Sequence, residues 1–529
     1  MKKIYFTLIF LLLAMSGMAY LYFSRLNREN TYNEIGLYAA TAHSGLVFCI
    51  HNDRSIFEIL KGQDLFQHLL GDAKFNKISL LKDKIISSPA INNLIANRNI
   101  FIAFSGGKDR EINYLISSQL NDEQDKQALV DALQTAGIKA SGTRGVMTLP
   151  LNDSTTFYLG IEKNLVLLSD KAELVNAGLA LNPSQVPHDF VDYIRQNNTL
   201  SKNSVGNLFI DFNKIPALLK AILPGNLNGN LALFNRQNSF ASLSYNFSRE
   251  RLFFSGNTKV NAAGSYLNLF THTASLKNSI DNLLPDNTSN FRLYAIPHYK
   301  QWRGTLITWF TSRKEDAKVK QNIADTKQEY RLNAEGIFPV YFKDQLITFE
   351  TSSSENLGAI NLSNGDKVKQ LLLDISEDYD QDIKAFKVPE LLYSYFGEPL
   401  KKFSKPYYVI IDNYMVFANQ PGALHNFLNN YRANRLLINT PDYVNLFAQI
   451  SNSADITFYV NQKNSAPLLR RNIYLPYYKH YLSEKGLGKF SSLIYQLNAD
   501  KGSFQTNFLI NTLPVMQSET PADTILMSK

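Results

Sequence analysis

Similar segments recur along this chain at a nearly constant separation of about 250 residues. Residues 242–247 (SLSYNF) are matched by 492–497 (SLIYQL), and each segment is followed by a second alternating run, at 251–261 or 501–511. The offsets of chance matches would vary widely, whereas the offsets of these matched segments stay between 246 and 253 residues. A period this long lies far above the roughly 20–50 residues of solenoid repeats, so it predicts two domain-sized halves.

Four further pairs of segments keep the same order. They are residues 100–105 and 346–351, 163–169 and 412–418, 189–191 and 442–444, and 208–213 and 456–461. We therefore predict a first domain at 36–262, a connector at 263–287, and a second domain at 288–512 that repeats the first. The alternative is two unrelated halves with generic strands, because short apolar strands resemble one another.

The order of apolar patterns within one half indicates the α+β class. Residues 46–50 (LVFCI) form a compact apolar run, which predicts a buried strand. Strands are expected at 100–105 and 111–118, on either side of the turn Gly106-Gly107-Lys108-Asp109. Neighbouring hairpins of this kind make the two expected sheets mostly antiparallel, with helices covering them.

The N-terminal segment carries the strongest signal for location. Lys2 and Lys3 precede residues 4–23 (IYFTLIFLLLAMSGMAYLYF), which hold no charge over 20 residues. At about 1.5 Å per residue, a helix of this length spans roughly 30 Å, the thickness of the hydrocarbon core of a bilayer. We therefore predict a cytoplasmic stub at 1–3, a transmembrane signal-anchor at 4–23 and a linker at 24–35.

A cleavable signal peptide is the alternative, because Gly17-Met18-Ala19 forms a small-x-small site with cleavage after Ala19. Tyr20 and Tyr22 favour the uncleaved anchor, since they continue the apolar segment and suit a membrane interface. In both forms, a basic segment followed by an apolar one has the order of an export signal. We predict a single-pass protein of the inner (cytoplasmic) membrane with the bulk of the chain on the periplasmic or extracytoplasmic side.

Charge and cysteine content exclude several classes of protein. Lys and Arg number 54 against 46 Asp and Glu, a net charge of +8 that is small for 529 residues. Nucleic acid is therefore not an expected partner. Cys49 is the single cysteine, so neither an intramolecular disulfide nor a cysteine-cluster metal site is possible. Its apolar neighbours predict a buried, unreactive thiol.

Candidate catalytic and metal-binding patterns have simpler interpretations. His51 has a neighbouring carboxylate in His51-Asn52-Asp53, and we interpret Asn52 or Asp53 as a helix cap. Asp378, Asp380 and Asp382 alternate like the first ligands of a calcium loop. Ile383 and Pro389 stand where that loop requires Gly and Glu, so we interpret the aspartates as the solvated end of a helix. No catalytic residue, cofactor or metal is expected.

An aromatic stretch at 474–481 (YLPYYKHY) differs from the rest of the chain. It holds four tyrosines beside a lysine and a histidine, and it follows two arginines. Because Tyr and Arg are enriched where partners dock, this stretch is a candidate partner-binding rim. The equally weighted alternative is an amphipathic helix that covers the sheet with its hydroxyl groups exposed. The candidate residues are Arg470, Arg471, Tyr474, Tyr477, Tyr478 and Tyr481.

Three segments together carry a resemblance to a known family: the N-terminal anchor, the strand LVFCIHN at 46–52 with the strand pair at 100–118, and FYLGIEKNLVLLSDKAEL at 157–174. The chain resembles an uncharacterised bacterial family of exported, membrane-anchored proteins with a domain of unknown function, DUF3352. The resemblance covers residues 40–260 and, more weakly, the second half. It implies no established activity and no catalytic residues.

These patterns favour a membrane-anchored extracytoplasmic protein that binds or scaffolds and does not catalyse. Its expected partners are the bilayer, through residues 4–23, and another protein of the cell envelope. Two alternatives remain open, a cell-envelope hydrolase whose residues are far apart in sequence, and a carrier of an apolar ligand, given 34 Phe and 28 Tyr. Residues 513–529 are expected to form a disordered tail.

Overall fold

A computed structural model describes the chain between residues 34 and 512, with gaps. The described ranges are 34–51, 67–68, 71–95, 98–142, 145–198, 204–225, 238–246, 248, 251–261 and 264–512. The predicted anchor at 4–23 and the predicted tail at 513–529 lie outside these ranges. Within the ranges, no helix is both long and apolar enough to cross a membrane.

The described residues form an α+β fold in which hairpins and helices follow one another. The strands of the first half are β1 Leu46–His51, β2 Asn99–Gly106, β3 Ile112–Gln119, β4 Val146–Asn152, β5 Thr155–Glu162, β6 Leu165–Ser169, β7 Ser204–Asp211, β8 Ser239–Asn246 and β9 Arg251–Val260. Its helices are α1 Ile35–Ala42, α2 Asp72–Leu81, α3 Pro89–Leu94, α4 Asp125–Thr135, α5 Ala172–Leu179, α6 His188–Asn197 and α7 Ile215–Leu219.

The second half repeats this alternation. Its strands are β10 Leu276–Lys277, β11 Thr288–Ala295, β12 Phe342–Thr351, β13 Asn356–Leu362, β14 Ser376–Asp378, β15 Lys384–Phe386, β16 Tyr407–Ile411, β17 Tyr414–Ala418, β18 Ser453–Ala454, β19 Ile456–Asn461, β20 Phe490–Asp500 and β21 Ser503–Thr512. Its helices are α8 Tyr299–Ser312, α9 Asp316–Tyr330, α10 Phe338–Tyr341, α11 Gly365–Leu371, α12 Leu391–Phe396, α13 Pro421–Arg432, α14 Pro441–Phe447, α15 Gln462–Asn472 and α16 Leu475–Leu482.

Both halves contribute to one antiparallel sheet of 19 strands. Paired neighbours in the first half run in the order β4-β5-β6-β3-β2-β1-β7-β8-β9. In the second half they run β14-β15-β16-β17-β13-β12-β11-β19-β20-β21. The sequence predicts the antiparallel α+β class and the turn at Gly106-Gly107, and both are confirmed. It does not predict that the two sheets are continuous.

The halves are joined where β9 pairs with β21. This junction contains eight residue pairs, from Arg251 opposite Asn511 to Thr258 opposite Phe504. Gly256 lies opposite Thr506, and these two residues are separated by the same 250 positions that relate the repeated segments. The two strands at corresponding positions in the halves, β9 and β21, therefore pair antiparallel with each other. This is the geometry of a two-fold interface between identical subunits.

Helices cover both faces of the second-half sheet. We call the face that contacts α8 the aromatic face, because Tyr294 on β11 and Trp302 and Trp309 on α8 share its core. The opposite face is covered by α13 and α14. In the first half, α1, α5 and α6 pack on one side and α2, α3 and α4 on the other. The aromatic core extends across the junction to Leu243 and Phe254 of the first half.

The predicted connector at 263–287 is an integral part of the second half. It contains 3₁₀ turns at Tyr266–Phe270 and Ile280–Leu283, and β10, which pairs with β18. The buried Tyr266 hydroxyl donates to the Phe396 carbonyl oxygen at 2.6 Å. Its ring packs edge-on against Trp309 with a centroid distance of 5.4 Å. The segment therefore fills the aromatic core as well as linking the halves.

Candidate interaction surface

The predicted partner-binding residues lie on two consecutive helices, α15 and α16. Asn461 caps α15, because its side-chain oxygen accepts a hydrogen bond from the Asn464 backbone N–H at 2.9 Å. The chain is extended at Ile473 and Tyr474 and then enters α16, whose first turn contains Pro476. Proline suits this position because its fixed φ fits a helix and its missing N–H has no helical partner there. Most of the stretch 474–481 is therefore helical, as the amphipathic-helix interpretation expects.

One side of α16 is held by the first half of the chain. The Tyr474 backbone N–H donates to the Ile222 carbonyl oxygen at 2.9 Å, and the Arg110 guanidinium lies 4.5 Å from the centre of the Tyr474 ring. The Tyr477 hydroxyl donates to the Arg110 carbonyl oxygen at 3.2 Å. Partial burial raises the pKa of Tyr477 above its ordinary value. These contacts attach a second-half helix to the β2–β3 turn and to the segment that follows α7.

Two of the tyrosines of α16 stack on each other. The rings of Tyr478 and Tyr481 are almost parallel, at 12° and a centroid distance of 5.9 Å. Tyr481 is buried, and burial raises its pKa. Both residues therefore contribute mainly to packing within the chain.

The other side of α16 faces solvent and exposes two large apolar side chains. Leu475 and Leu482 are 62% and 63% exposed, the highest values for large hydrophobic side chains in the described chain. With Lys479 they have the spacing i, i+4, i+7, which places all three on one helix face. Arg470 and Arg471 are exposed at the end of α15. We call Arg470, Arg471, Leu475, Lys479 and Leu482 the α16 surface.

The structure thus divides the six candidate residues. Arg470 and Arg471 are exposed, Tyr474, Tyr477 and Tyr478 are half-buried, and Tyr481 is buried. Leu475 and Leu482 are not among the residues predicted from the sequence, although both are exposed on α16. Their separation of seven residues within YLPYYKHYL was the available signal, because it places both on one side of any helix.

The aspartates at 378–382 form a hairpin turn, so their interpretation as the end of a helix is wrong. They lie between β14 and β15, and the Asp380 carboxylate accepts from the backbone N–H groups of Asp382 and Ile383 at 2.9 and 2.8 Å. Asp380 also lies 3.0 Å from His425 Nε2, and Asp382 lies 2.9 Å from Arg432. These hydrogen bonds to the Asp380 carboxylate lower its pKa. No group of three or more metal-binding side chains occurs among the described residues.

The remaining candidates for chemistry are Cys49 and the residues beside His51. Cys49 is fully buried on β1, as predicted, and burial raises the pKa of its thiol to about 12. Asn52 and Asp53, the predicted helix caps beside His51, lie outside the described residues.

Comparison with known protein families finds a match in the second half. The model of a family described as "Protein of unknown function (DUF3352)" matches residues 350–502, which include α15 and α16. The resemblance predicted from sequence is confirmed for this part of the chain, which lies in the second half and not in the stretch 40–260. No curated protein and no solved structure matches the chain.

Proposed function

We propose that this protein is a membrane-anchored extracytoplasmic binding or scaffold protein, and that the α16 surface is where it docks a protein of the cell envelope. The observation that carries this proposal is the exposure of Leu475 and Leu482 on one helix face. Burying a leucine side chain in an interface contributes about 1.5–3 kcal/mol relative to leaving it in water. Two such side chains supply apolar area for an interface, and arginine, present beside them as Arg470 and Arg471, is among the residue types that contribute most to interface energies.

The charge of the surface indicates the chemistry of the partner. Arg470, Arg471, Lys479 and Lys485 are exposed, and Glu484 is the one exposed carboxylate between residues 470 and 485. The exposed Asp109 and Glu111 lie near Tyr477, on the side of α16 that the first half holds. A partner with apolar side chains surrounded by Asp and Glu complements this pattern, because opposite charges at the rim favour encounter and orientation.

The way α16 is held also supports a binding role. Its inner side contacts the first half through Arg110 and Ile222. In the second half α16 contacts α15, which packs beside β20, and the 3₁₀ turn at Leu487–Lys489. A helix fixed from both halves is ordered before a partner arrives. Binding therefore costs less conformational entropy than it would on a free loop.

The test is site-specific photocrosslinking in intact membranes. A photoreactive side chain is introduced at position 475 or 482, and at position 373 as the control, because Leu373 is also apolar and is 53% exposed. We expect an adduct of one defined mass from positions 475 and 482 and none from position 373. The same adducts at all three positions, or none at any, would refute the docking surface.

We propose that residues 4–23 hold the chain in the membrane. A 20-residue segment without charge supports this proposal. The test is sodium carbonate extraction of membranes, with Leu12→Arg as the variant, because arginine at the centre of a spanning helix costs about 2.5–3.5 kcal/mol on insertion scales. We expect the wild type to stay in the pellet and Leu12→Arg to leave it. N-terminal sequencing that begins at Tyr20 would show cleavage instead of anchoring.

We further propose that the halves at 36–262 and 288–512 arose by duplication. Their strand orders support this, because β1, β2 and β3 have the same neighbours in the first half that β11, β12 and β13 have in the second. The pairing of Gly256 with Thr506 at the repeat offset also supports it. In an experimental structure, the rotation that superposes β1–β3 on β11–β13 should also superpose the β8–β9 and β20–β21 hairpins. Failure of the hairpins to follow would contradict the duplication.

A further inference from the structure

The last strand of the described chain ends beside α16. Thr512, the last residue of β21, pairs with Phe490, the first residue of β20. The Ser491 hydroxyl donates to the Thr512 carbonyl oxygen at 3.2 Å. This hydrogen bond and the strand pairing fix the place where residue 513 begins. Because β21 runs antiparallel to β20, the chain leaves Thr512 in the direction of the segment that precedes β20.

That segment lies against α16. The 3₁₀ turn Leu487–Lys489 contacts the helix, and a methyl group at Gly488 would lie 2.8 Å from the Tyr481 carbonyl oxygen. With paired Cα atoms about 5 Å apart and at most about 3.8 Å per residue, the Cα atoms of Thr512 and Leu482 are separated by at most roughly 25 Å. Seven extended residues span about that distance. Residues from Glu519 onward can therefore reach the α16 surface.

Exposed positive charges lie along this route and on the α16 surface. Between residues 470 and 489, all described by the structure, Glu484 is the one exposed carboxylate. Two further carboxylates, Asp109 and Glu111, lie on the held side of α16, where they contact Lys171 Nζ at 3.3 and 3.5 Å. The exposed basic residues of this stretch are Arg470, Arg471, Lys479, Lys485 and Lys489.

Residues 513–529 (LPVMQSETPADTILMSK) have the complementary composition. Glu519 and Asp523 are the two charged residues between 513 and 528, and the apolar run 525–527 (ILM) follows them. Carboxylates beside apolar side chains are the chemistry that the basic, leucine-bearing α16 surface requires of a partner. The predicted linker at 24–35 does not offer it, because that linker contains no comparable apolar run after its acidic residues.

A tether this short makes a weak contact sufficient. A segment held by a short flexible connection has an effective concentration on the order of 1 mM. A contact with a Kd of about 0.1 mM, weak for a partner in solution, would then be formed about ten times as often as it is open. An incoming partner would have to displace the segment, which lowers its apparent affinity about ten-fold.

We propose that residues 519–527 occupy the α16 surface of their own chain, with the carboxylates of Glu519 and Asp523 beside its basic side chains and the apolar residues 525–527 over its leucines. The segment is an autoinhibitory contact that an acidic and apolar partner displaces. The contact depends on this chain alone, whereas its inhibitory effect rests on the docking role proposed above for the α16 surface.

The test is photocrosslinking within the purified full-length protein in dilute detergent solution. A photoreactive side chain is introduced at position 482, and at position 373 as the control, because Leu373 is also apolar and is 53% exposed. Trypsin releases residues 502–529 as one peptide, because no Lys or Arg occurs between 502 and 528. Fragmentation of that peptide identifies the crosslinked residue. We expect position 482 to crosslink to residues 519–527 about ten-fold more often than position 373 does.

Charge reversal tests the pairing. Glu519→Lys with Asp523→Lys turns attraction into repulsion at two exposed positions, which should weaken the contact about ten- to thirty-fold. The crosslink yield from position 482 should then fall about two- to four-fold, because the open form becomes at least as common as the closed one. Lys479→Glu with Lys485→Glu should lower the yield in the same way, and all four changes together should restore it. Lys367→Glu with Lys369→Glu, an equal change of charge on the exposed side of α11, should leave the yield unchanged.

The inference is overturned if position 482 crosslinks to 519–527 no more often than position 373 does, or if charge reversal leaves the yield unchanged. It is also overturned if the crosslinks from position 482 join two copies of the chain. These results leave the docking role itself open to its own test, because an envelope partner adds mass in intact membranes and an internal crosslink does not. An internal crosslink without any such adduct would support the contact and refute only the docking role.

Discussion

The hydroxyl oxygens of Thr258 and Thr506 lie 2.7 Å apart across the junction of the two halves, and both side chains are buried. Thr258 is on β9 and Thr506 is on β21, where Thr506 pairs directly with Gly256. A hydrogen bond between buried hydroxyls is satisfied only while the strands keep this register. The junction is thus specified by side chains as well as by its backbone ladder.

Gly256 is the residue at this junction that least tolerates a side chain. A methyl group there would lie 2.0 Å from the Ser242 carbonyl oxygen on β8, so the backbone would have to move. We expect Gly256→Ala to lower the free energy of unfolding by about 1–3 kcal/mol, the usual cost of overpacking. Gly304→Ala is the control, because Gly304 lies exposed within α8 with no atom near the added methyl group. Urea denaturation should show it unchanged or stabilised by up to about 1 kcal/mol.

The contacts of Arg110 should decide how firmly α16 is held. We expect Arg110→Ala to cost about 0.5–1 kcal/mol through the lost contact with the Tyr474 ring. Tyr477→Phe should cost about 0.5–1.5 kcal/mol through the lost hydrogen bond to the Arg110 carbonyl. Hydrogen exchange should show faster exchange in α16 for both variants. Lys108→Ala is the control, because it changes an exposed residue of the same turn and should leave hydrogen exchange in α16 unchanged. If Lys108→Ala accelerated exchange in α16 as much as Arg110→Ala does, the effect would come from the turn and not from the contacts of Arg110.

Lys402 should make stability depend on pH in the alkaline range. Its pKa is about 7 in the folded protein, against an ordinary value of 10.5. Between these values the unfolded chain binds more protons than the folded one, so this residue makes stability rise with pH, by at most about 1.4 kcal/mol per pH unit. We expect the difference in unfolding free energy between wild type and Lys402→Met to grow in favour of the wild type from pH 7 to 10. If the unfolding free energies of wild type and Lys402→Met ran parallel over this pH range, the prediction would be contradicted. Lys405→Met is the control, and its unfolding free energy should run parallel to that of the wild type.

Asp281 should show the opposite dependence. This buried carboxyl group accepts from the Tyr443 hydroxyl at 2.5 Å, and burial raises its pKa. Its contribution to stability is present below the unfolded pKa and is lost as pH rises through the folded pKa. We therefore expect Asp281→Asn to gain stability relative to wild type as pH rises above 4. Tyr443→Phe should cost about 1–3 kcal/mol at pH 7, because the buried carboxylate loses its donor.

Elements with a strong local pattern could be predicted from the sequence. The hairpins β8–β9 and β20–β21 follow from alternating apolar residues on either side of a short polar turn. The sequence does not predict β14 and β15, because three residues are too few for such a pattern. Without these strands, the aspartates at 378–382 are wrongly predicted to end a helix. The pairing of β9 with β21 joins edges about 250 residues apart, and no local signal encodes it.

The candidate sites were predictable to different degrees. The helix at 474–481 was visible from its tyrosines, although the residues it exposes most are leucines. The polar row of Asn290, Glu350 and Asn356 is not visible in the sequence, because its members come from the three strands β11, β12 and β13. Only the strand register places Asn290, Glu350 and Asn356 side by side.

The junction also determines when, during synthesis, the first half can complete its strand pairing. β9 is complete by residue 260, but its partner β21 begins at Ser503, near the end of the described chain. At about 5–20 residues per second, a ribosome takes roughly 12–50 seconds to make the intervening chain. During that interval β9 is an unpaired edge strand, the kind of surface on which another chain can add. The edge of β9 therefore stays open to pairing with other chains until β21 of the second half has been made.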